Sequence, residues 1–170
     1  MPDAHFTEPR LADLYDPLDP DRSDLDAYVA KAAGFGARAV LDIGCGTGTL
    51  ACLLAQRGVQ VTAADPAAAS LAVARKPGAG HVRWLHADAT SLPPLQVELV
   101  TMTANVAQVF LTAQEWAAVL RAARQACGRA GGWCSKAATR PGRPGWNGPA
   151  TGPTAASPSR VPARSRPGRT

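Results

Sequence analysis

Residues 38–58 read "RAVLDIGCGTGTLACLLAQRG". The run "AVLDI", 39–43, is short and apolar, as a strand buried on both faces of a parallel sheet must be. Gly44, Gly46 and Gly48 follow at alternate positions. Apolar residues then recur at helical spacing from about Thr47 to Gln56, and Gly58 stops the pattern. A strand that turns straight into a helix leaves uncovered N–H groups at the helix start. Glycines there tolerate positive φ and let a ligand approach the backbone closely. The stretch predicts a strand–loop–helix unit with a ligand at its turn.

The flanking sequence repeats the strand–helix alternation. "VQVTAAD", 59–65, reads as a second strand, and Pro66 suits the first turn of a helix running to about Arg75. "HVRWLHAD", 81–88, and "VELVTMTAN", 97–105, read as the third and fourth strands. "TAQEWAAVLRAARQAC", 112–127, is an amphipathic helix, with Thr112 as cap and Glu115 completing a capping box. Ser23 or Asp24 could cap an earlier helix to about Ala33. Residues 1–21 contain Pro2, Pro9, Pro17 and Pro20 and read as an irregular arm. Alternation of this kind predicts an open, doubly wound α/β fold with a mostly parallel sheet. Such sheets bind ligands beyond the carboxyl ends of their strands. The glycine loop, Asp65, Asp88 and Asn105 all stand at such ends.

The net charge of +5 is unevenly spread. Residues 1–130 hold eleven Lys/Arg against thirteen Asp/Glu, whereas residues 131–170 hold seven Lys/Arg and no acid. A nucleic-acid partner would have to rest on the tail alone, which offers no packed aromatic platform, so the composition argues against one. The start of the chain is acidic and proline-broken, unlike a signal peptide, and no run is long and apolar enough for a membrane span. A cytoplasmic protein without a membrane partner is expected. The oligomeric state leaves no trace in the sequence. The four cysteines, Cys45, Cys52, Cys127 and Cys134, lack metal or redox spacing, so no metal is expected.

Two kinds of ligand suit a glycine loop of this type: a pyrophosphate, as in a NAD- or nucleotide-binding protein, or an adenosyl group. A dinucleotide fold uses G-x-G-x-x-G, and here the third glycine comes one residue early. Asp42 stands two residues before the first glycine, where a carboxylate would oppose a pyrophosphate and suit an ammonium group. A phosphate-binding P-loop is excluded because no Gly-Lys-Ser/Thr follows.

"LDIGCGTG" resembles the first motif of the class I S-adenosylmethionine-dependent methyltransferases, and "VTAADP", "HADATSLP" and "TMTANVAQVF" follow in that family's order. The resemblance covers about residues 11–132. It implies that Gly44, Cys45, Gly46 and Gly48 carry the cofactor on their backbone and that Asp42 helps hold its amino group. It also implies that Asp65, followed by Pro66, accepts the ribose hydroxyls. Asp88 and Ala89 would hold the adenine, and Asn105 and Val106 would lie beside the methionine part and the substrate. Tyr15 of the arm would lie over the cofactor. The expected reaction is in-line methyl transfer from S-adenosylmethionine to a small-molecule acceptor. Neither the acceptor nor a catalytic base is readable from the motifs.

Plainer readings stand beside these. Asp65 could cap the turn before Pro66, Asp88 could cap its own turn, and Asn105 could satisfy local backbone. His86 reads as a structural or edge histidine, and the six aspartates between 13 and 26 as a solvated segment. Cys45 is expected to contribute backbone, not thiol chemistry.

The family's sheet has seven strands. A fifth is due after Gly131-Gly132, where "WCSKAATRPGRPGWNGPA" arrives instead. Residues 131–170 hold seven Pro and seven Gly with few large apolar residues, so a disordered basic tail is expected. Back-translation of 132–136 read one base earlier permits Leu-Val-Phe-Glu, an ordinary strand, which points to a shifted reading frame at about residue 132. On this reading the last strands are missing, the sheet has an open edge where the fifth belongs, and a domain weakened or inactive through this loss is expected.

Overall fold

The computed structural model describes residues 4–76, 81–127 and 132–135, with side chains for 6–76 and 81–127. The elements in order are helices α1 (Ala4–Thr7) and α2 (Pro9–Leu18), a 3-10 turn (Ser23–Leu25) leading into α3 (Asp26–Gly34), strand β1 (Ala39–Ile43), α4 (Thr49–Ala55), β2 (Gln60–Asp65), α5 (Ala68–Ala74), β3 (Val82–His86), β4 (Leu99–Met102), a 3-10 turn (Val106–Gln108), α6 (Ala113–Ala126) and β5 (Gly132–Ser135). The strands form one sheet in the order β3-β2-β1-β4-β5, every neighbouring pair parallel. This is the expected doubly wound α/β architecture.

Strand periodicity sorts the core. Val40 and Leu99 face a cluster with Leu25, Tyr28, Ala32, Leu50 and Leu54. Leu41, Ile43, Val100 and Met102 face the opposite cluster with Val119, Ala123 and Ala126. Adjacent residues of one strand thus anchor α3 and α4 on one face and α6 on the other, which is why "AVLDI" carries almost no polar residue. The capping box of α6 forms as read: the Glu115 N–H donates to Thr112 Oγ1 at 3.1 Å, and the Thr112 N–H donates to Glu115 Oε2 at 2.9 Å.

Three expectations are corrected. The arm is helical, not irregular: α2 begins at Pro9, where the missing N–H costs nothing, and Pro17 falls in its final turn. Pro66 is not in the first turn of its helix; it precedes the cap, Ala67. The fifth strand is not missing. β5 pairs with β4 from Leu99↔Gly132 to Met102↔Ser135, so the edge of β4 expected to be open is covered. Pairing is a main-chain property and needs only four residues here, where the sequence reading required an apolar run. The rest of the expected tail, residue 131 and residues 136–170, lies outside the described residues.

Candidate functional site

The chain runs outward from β1 through β2 to β3, then returns to place β4 on the other side of β1. The crevice at this reversal, beyond the carboxyl ends of β1 and β4, is where such a sheet accepts ligands. Asp42 stands there, opposite Thr101 of β4 in register. The Thr101 hydroxyl donates to Asp42 Oδ1 at 2.7 Å. Asp42 is 1% exposed, and its Oδ2 is buried without a hydrogen-bond partner among the described residues. Burial pushes the Asp42 carboxyl up to about 7 against a pull downward from Thr101, and the Asp65 charge adds to the rise.

The loop that follows is bent by three left-handed glycines, Gly44 (φ 70°), Gly46 (φ 55°) and Gly48 (φ 83°). Gly44 N–H donates to Ala64 O at 2.8 Å, and a Cβ on Gly44 would come within 2.5 Å of Val106. A Cβ on Gly48 would strike the Trp84 ring. At Gly46 such a carbon would meet nothing within 4 Å, so the middle of the loop faces open space. The Gly46 N–H donates to Asp65 Oδ2 at 2.8 Å, and the Ala67 N–H to Asp65 Oδ1 at 2.8 Å. Burial raises the pKa of Asp65, while these two N–H groups and nearby His86 draw it down. Burial, then the charges of Asp42 and Asp65, pushes the Cys45 thiol up, which disfavours thiolate chemistry there.

The outer residues divide. His86 pairs with Asp65 in register, and its Nε2 donates to Pro66 O at 3.0 Å, a structural contact. Asp88 Oδ1 accepts from the Thr90 N–H (2.8 Å) and hydroxyl (2.7 Å), so this carboxylate does organise its own turn. Ala89 is buried in the α6-side cluster. Asn105 is exposed and opens the 3-10 turn, and Ala104 before it holds a strained φ of 50°. Val106 closes on Gly44. Tyr15 packs on Phe6, with ring centroids 5.8 Å apart.

Several participants escaped the sequence reading. Thr101 was detectable as a polar residue within an apolar strand. Asp16 was not. It accepts the Thr47 hydroxyl at 2.7 Å and pairs with Arg22 at 3.6 Å, while Asp13 pairs with Lys76 at 2.8 Å. These two aspartates are therefore not part of a merely solvated segment. Among the described residues no group of three His, Cys, Asp or Glu side chains could hold a metal, and no helix is long and apolar enough to cross a membrane.

Residues 40–131 match the family described as methyltransferase domain. The chain belongs to this family. Among the methyltransferases it resembles, the ubiquinone biosynthesis O-methyltransferase of Pseudomonas aeruginosa is 50% identical over 48 residues, 28% of this chain and 21% of that protein. The CcbJ methyltransferase from Streptomyces caelestis superposes with a TM-score of 0.67 at 25% identity, covering 79% of this chain and 58% of that one. S-adenosylmethionine-bound CalS10, an amino pentose methyltransferase from Micromonospora echinaspora, gives 0.66 at 23% identity, over 75% and 57%. The match thus spans less than two thirds of these methyltransferases. The family expectation drawn from the glycine loop is borne out.

Proposed function

We propose that this chain binds S-adenosylmethionine and donates its methyl group to a small-molecule acceptor. The observation that carries the reading is the pair of buried carboxylates, Asp42 and Asp65, flanking a glycine turn that opens into free space. No Lys or Arg pairs with either among the described residues. A pyrophosphate would bring further negative charge to this place, whereas a ligand with an ammonium, a sulfonium and a ribose diol meets its complement.

The residues present fit such a ligand. An ionised carboxylate offers about four acceptor positions. Asp65 uses one on each oxygen for backbone N–H groups, which leaves about two for a pair of hydroxyls. Asp42 Oδ2 has no partner among the described residues and would be satisfied by an ammonium, directly or through a water. Gly46 presents its backbone without a side chain in the way. When bound, S-adenosylmethionine supplies an electrophilic methyl on a positively charged sulfur. The protein's part is to orient the cofactor along the loop, hold the acceptor in line and exclude water. The residues after β4, Ala104 to Val106, lie next to the loop through the Val106–Gly44 approach and would border the acceptor.

Calorimetry on the 170-residue chain tests this. S-adenosylmethionine and S-adenosylhomocysteine are expected to bind and NAD is not. Asp65→Ala removes two charge-assisted acceptor positions and should weaken binding by about 100-fold. Binding of NAD in preference to both adenosyl ligands would overturn the reading.

A further inference from the structure

The glycine loop is held from two directions. From the sheet side, Gly44 and Cys45 donate to Ala64 O, Gly46 donates to Asp65, and Gly48 donates back to Cys45 O. From the other side there is a side-chain bond to the N-terminal arm: the Thr47 hydroxyl donates to Asp16 Oδ1 at 2.7 Å, across 31 residues of sequence. Thr47 sits between two left-handed glycines, a segment with little conformational preference of its own.

Asp16 is itself held. Arg22 pairs with it at 3.6 Å and also reaches Thr49 Oγ1 at 3.4 Å and Asp24 at 3.8 Å. Thr47 and Thr49 straddle Gly48, so Asp16 and Arg22 grip the loop on both sides of the residue that caps α4. The same arm is fastened to α5: Ser70 Oγ donates to Phe6 O at 3.1 Å, and Lys76 pairs with Asp13 at 2.8 Å. Helix α5 follows directly on Asp65. The arm therefore bridges the glycine loop after β1 and the helix after β2, the two segments that bear the ligand groups.

We propose that Asp16, acting through Thr47 and braced by Arg22, is a positioning residue that fixes the glycine loop for cofactor binding. The ligand in this inference is the one proposed above; the latch itself is a property of the protein alone.

Two measurements on the full chain test it. The first needs no ligand: hydrogen exchange of the amides of residues 45–49. Asp16→Ala and Thr47→Val should each speed exchange there about tenfold, with Thr47→Ser close to wild type because the hydroxyl is retained. The second is calorimetric titration with S-adenosylhomocysteine. Each of the two disrupting variants should weaken binding about tenfold, and the double variant about as much as either single one, since both remove the same contact. Thr47→Ser should bind like wild type. Unchanged exchange in both disrupting variants, a Thr47→Ser protein as impaired as Thr47→Val, or additive losses in the double variant would overturn the proposal. If exchange responds as expected but wild type binds no adenosyl ligand, the latch stands and the cofactor reading falls.

Discussion

Replacing Asp42 with Asn should change how stability depends on pH, and the structure sets both sign and size. Burial raises this carboxyl from 3.8 to about 7 in the folded chain. The folded state then holds its proton more tightly than the unfolded state does. Between about pH 4 and 7 the folded protein carries more protons, so stability falls as pH rises. The contribution is complete below about pH 3.8 and lost once pH has passed about 7. At about 1.4 kcal/mol for each tenfold in proton affinity, the whole change is about 4 kcal/mol. Of this, about 2 kcal/mol falls between pH 5 and 7, because the group is still half protonated at the upper limit. Asn cannot ionise, so Asp42→Asn should lack this slope, whatever its absolute stability. That absolute value will carry its own cost of about 1–3 kcal/mol, because a buried amide N–H₂ replaces the unpartnered Oδ2. Urea unfolding followed by circular dichroism at pH 5, 6, 7 and 8 reads the difference, and titration of other groups largely cancels between the two proteins. Thr101→Val should move the break to higher pH, because its hydroxyl bond now pulls the Asp42 pKa down. Parallel stability curves for wild type and Asp42→Asn over this range would refute the reasoning.

Two further outcomes concern the frame around the site. Gly44→Ala forces a left-handed alanine and brings its Cβ to 2.5 Å from Val106, so a loss of about 2–4 kcal/mol is expected in the same urea assay. Thr112→Ala removes the exposed cap of α6 and should cost about 1 kcal/mol while leaving S-adenosylhomocysteine affinity unchanged in calorimetry.

The sheet was legible because its strands are buried on both sides. Val40 and Leu41 face opposite clusters and must both be apolar, so "AVLDI" stands out as a run. The cap of α6 was legible because Thr112 and Glu115 satisfy each other within one turn. Features that depend on tertiary docking were not. Asp16 is one of six aspartates in the segment 13–26, and only the docking of α2 brings it to Thr47. The prolines of the arm read as breakers, yet Pro9 opens the first turn, where an N–H has no intrahelical partner to lose, and Pro17 falls one residue before the helix ends. β5 was missed for a different reason. A strand at the end of a parallel sheet is recruited by the unpaired main chain of its neighbour, and four residues suffice without an apolar signature.

The two ends of the β1–β4 pair are finished differently, and the difference supports the proposed site. At the amino end, Glu98 accepts the N–H groups of Arg38 and Ala39, and these bonds hold its carboxyl below the usual range. A charge there has been given donors. At the carboxyl end, five residues along β1 from Arg38, Asp42's neighbour Ile43 leads into the loop, and Asp42 has been given one hydroxyl and no cation among the described residues. Three of the five left-handed glycines among the described residues, Gly44, Gly46 and Gly48, and the strained Ala104 lie at this same end. None of these features helps the domain fold: a buried unpaired carboxylate and strained backbone each cost stability. Similar strands could have ended in a turn with its polar groups satisfied, as they do at the amino end. Such costs at one edge are expected where a missing partner is supplied by a ligand, and the unmet side-chain atom among the described residues, the acceptor Asp42 Oδ2, suits a ligand group that donates hydrogen bonds or carries positive charge.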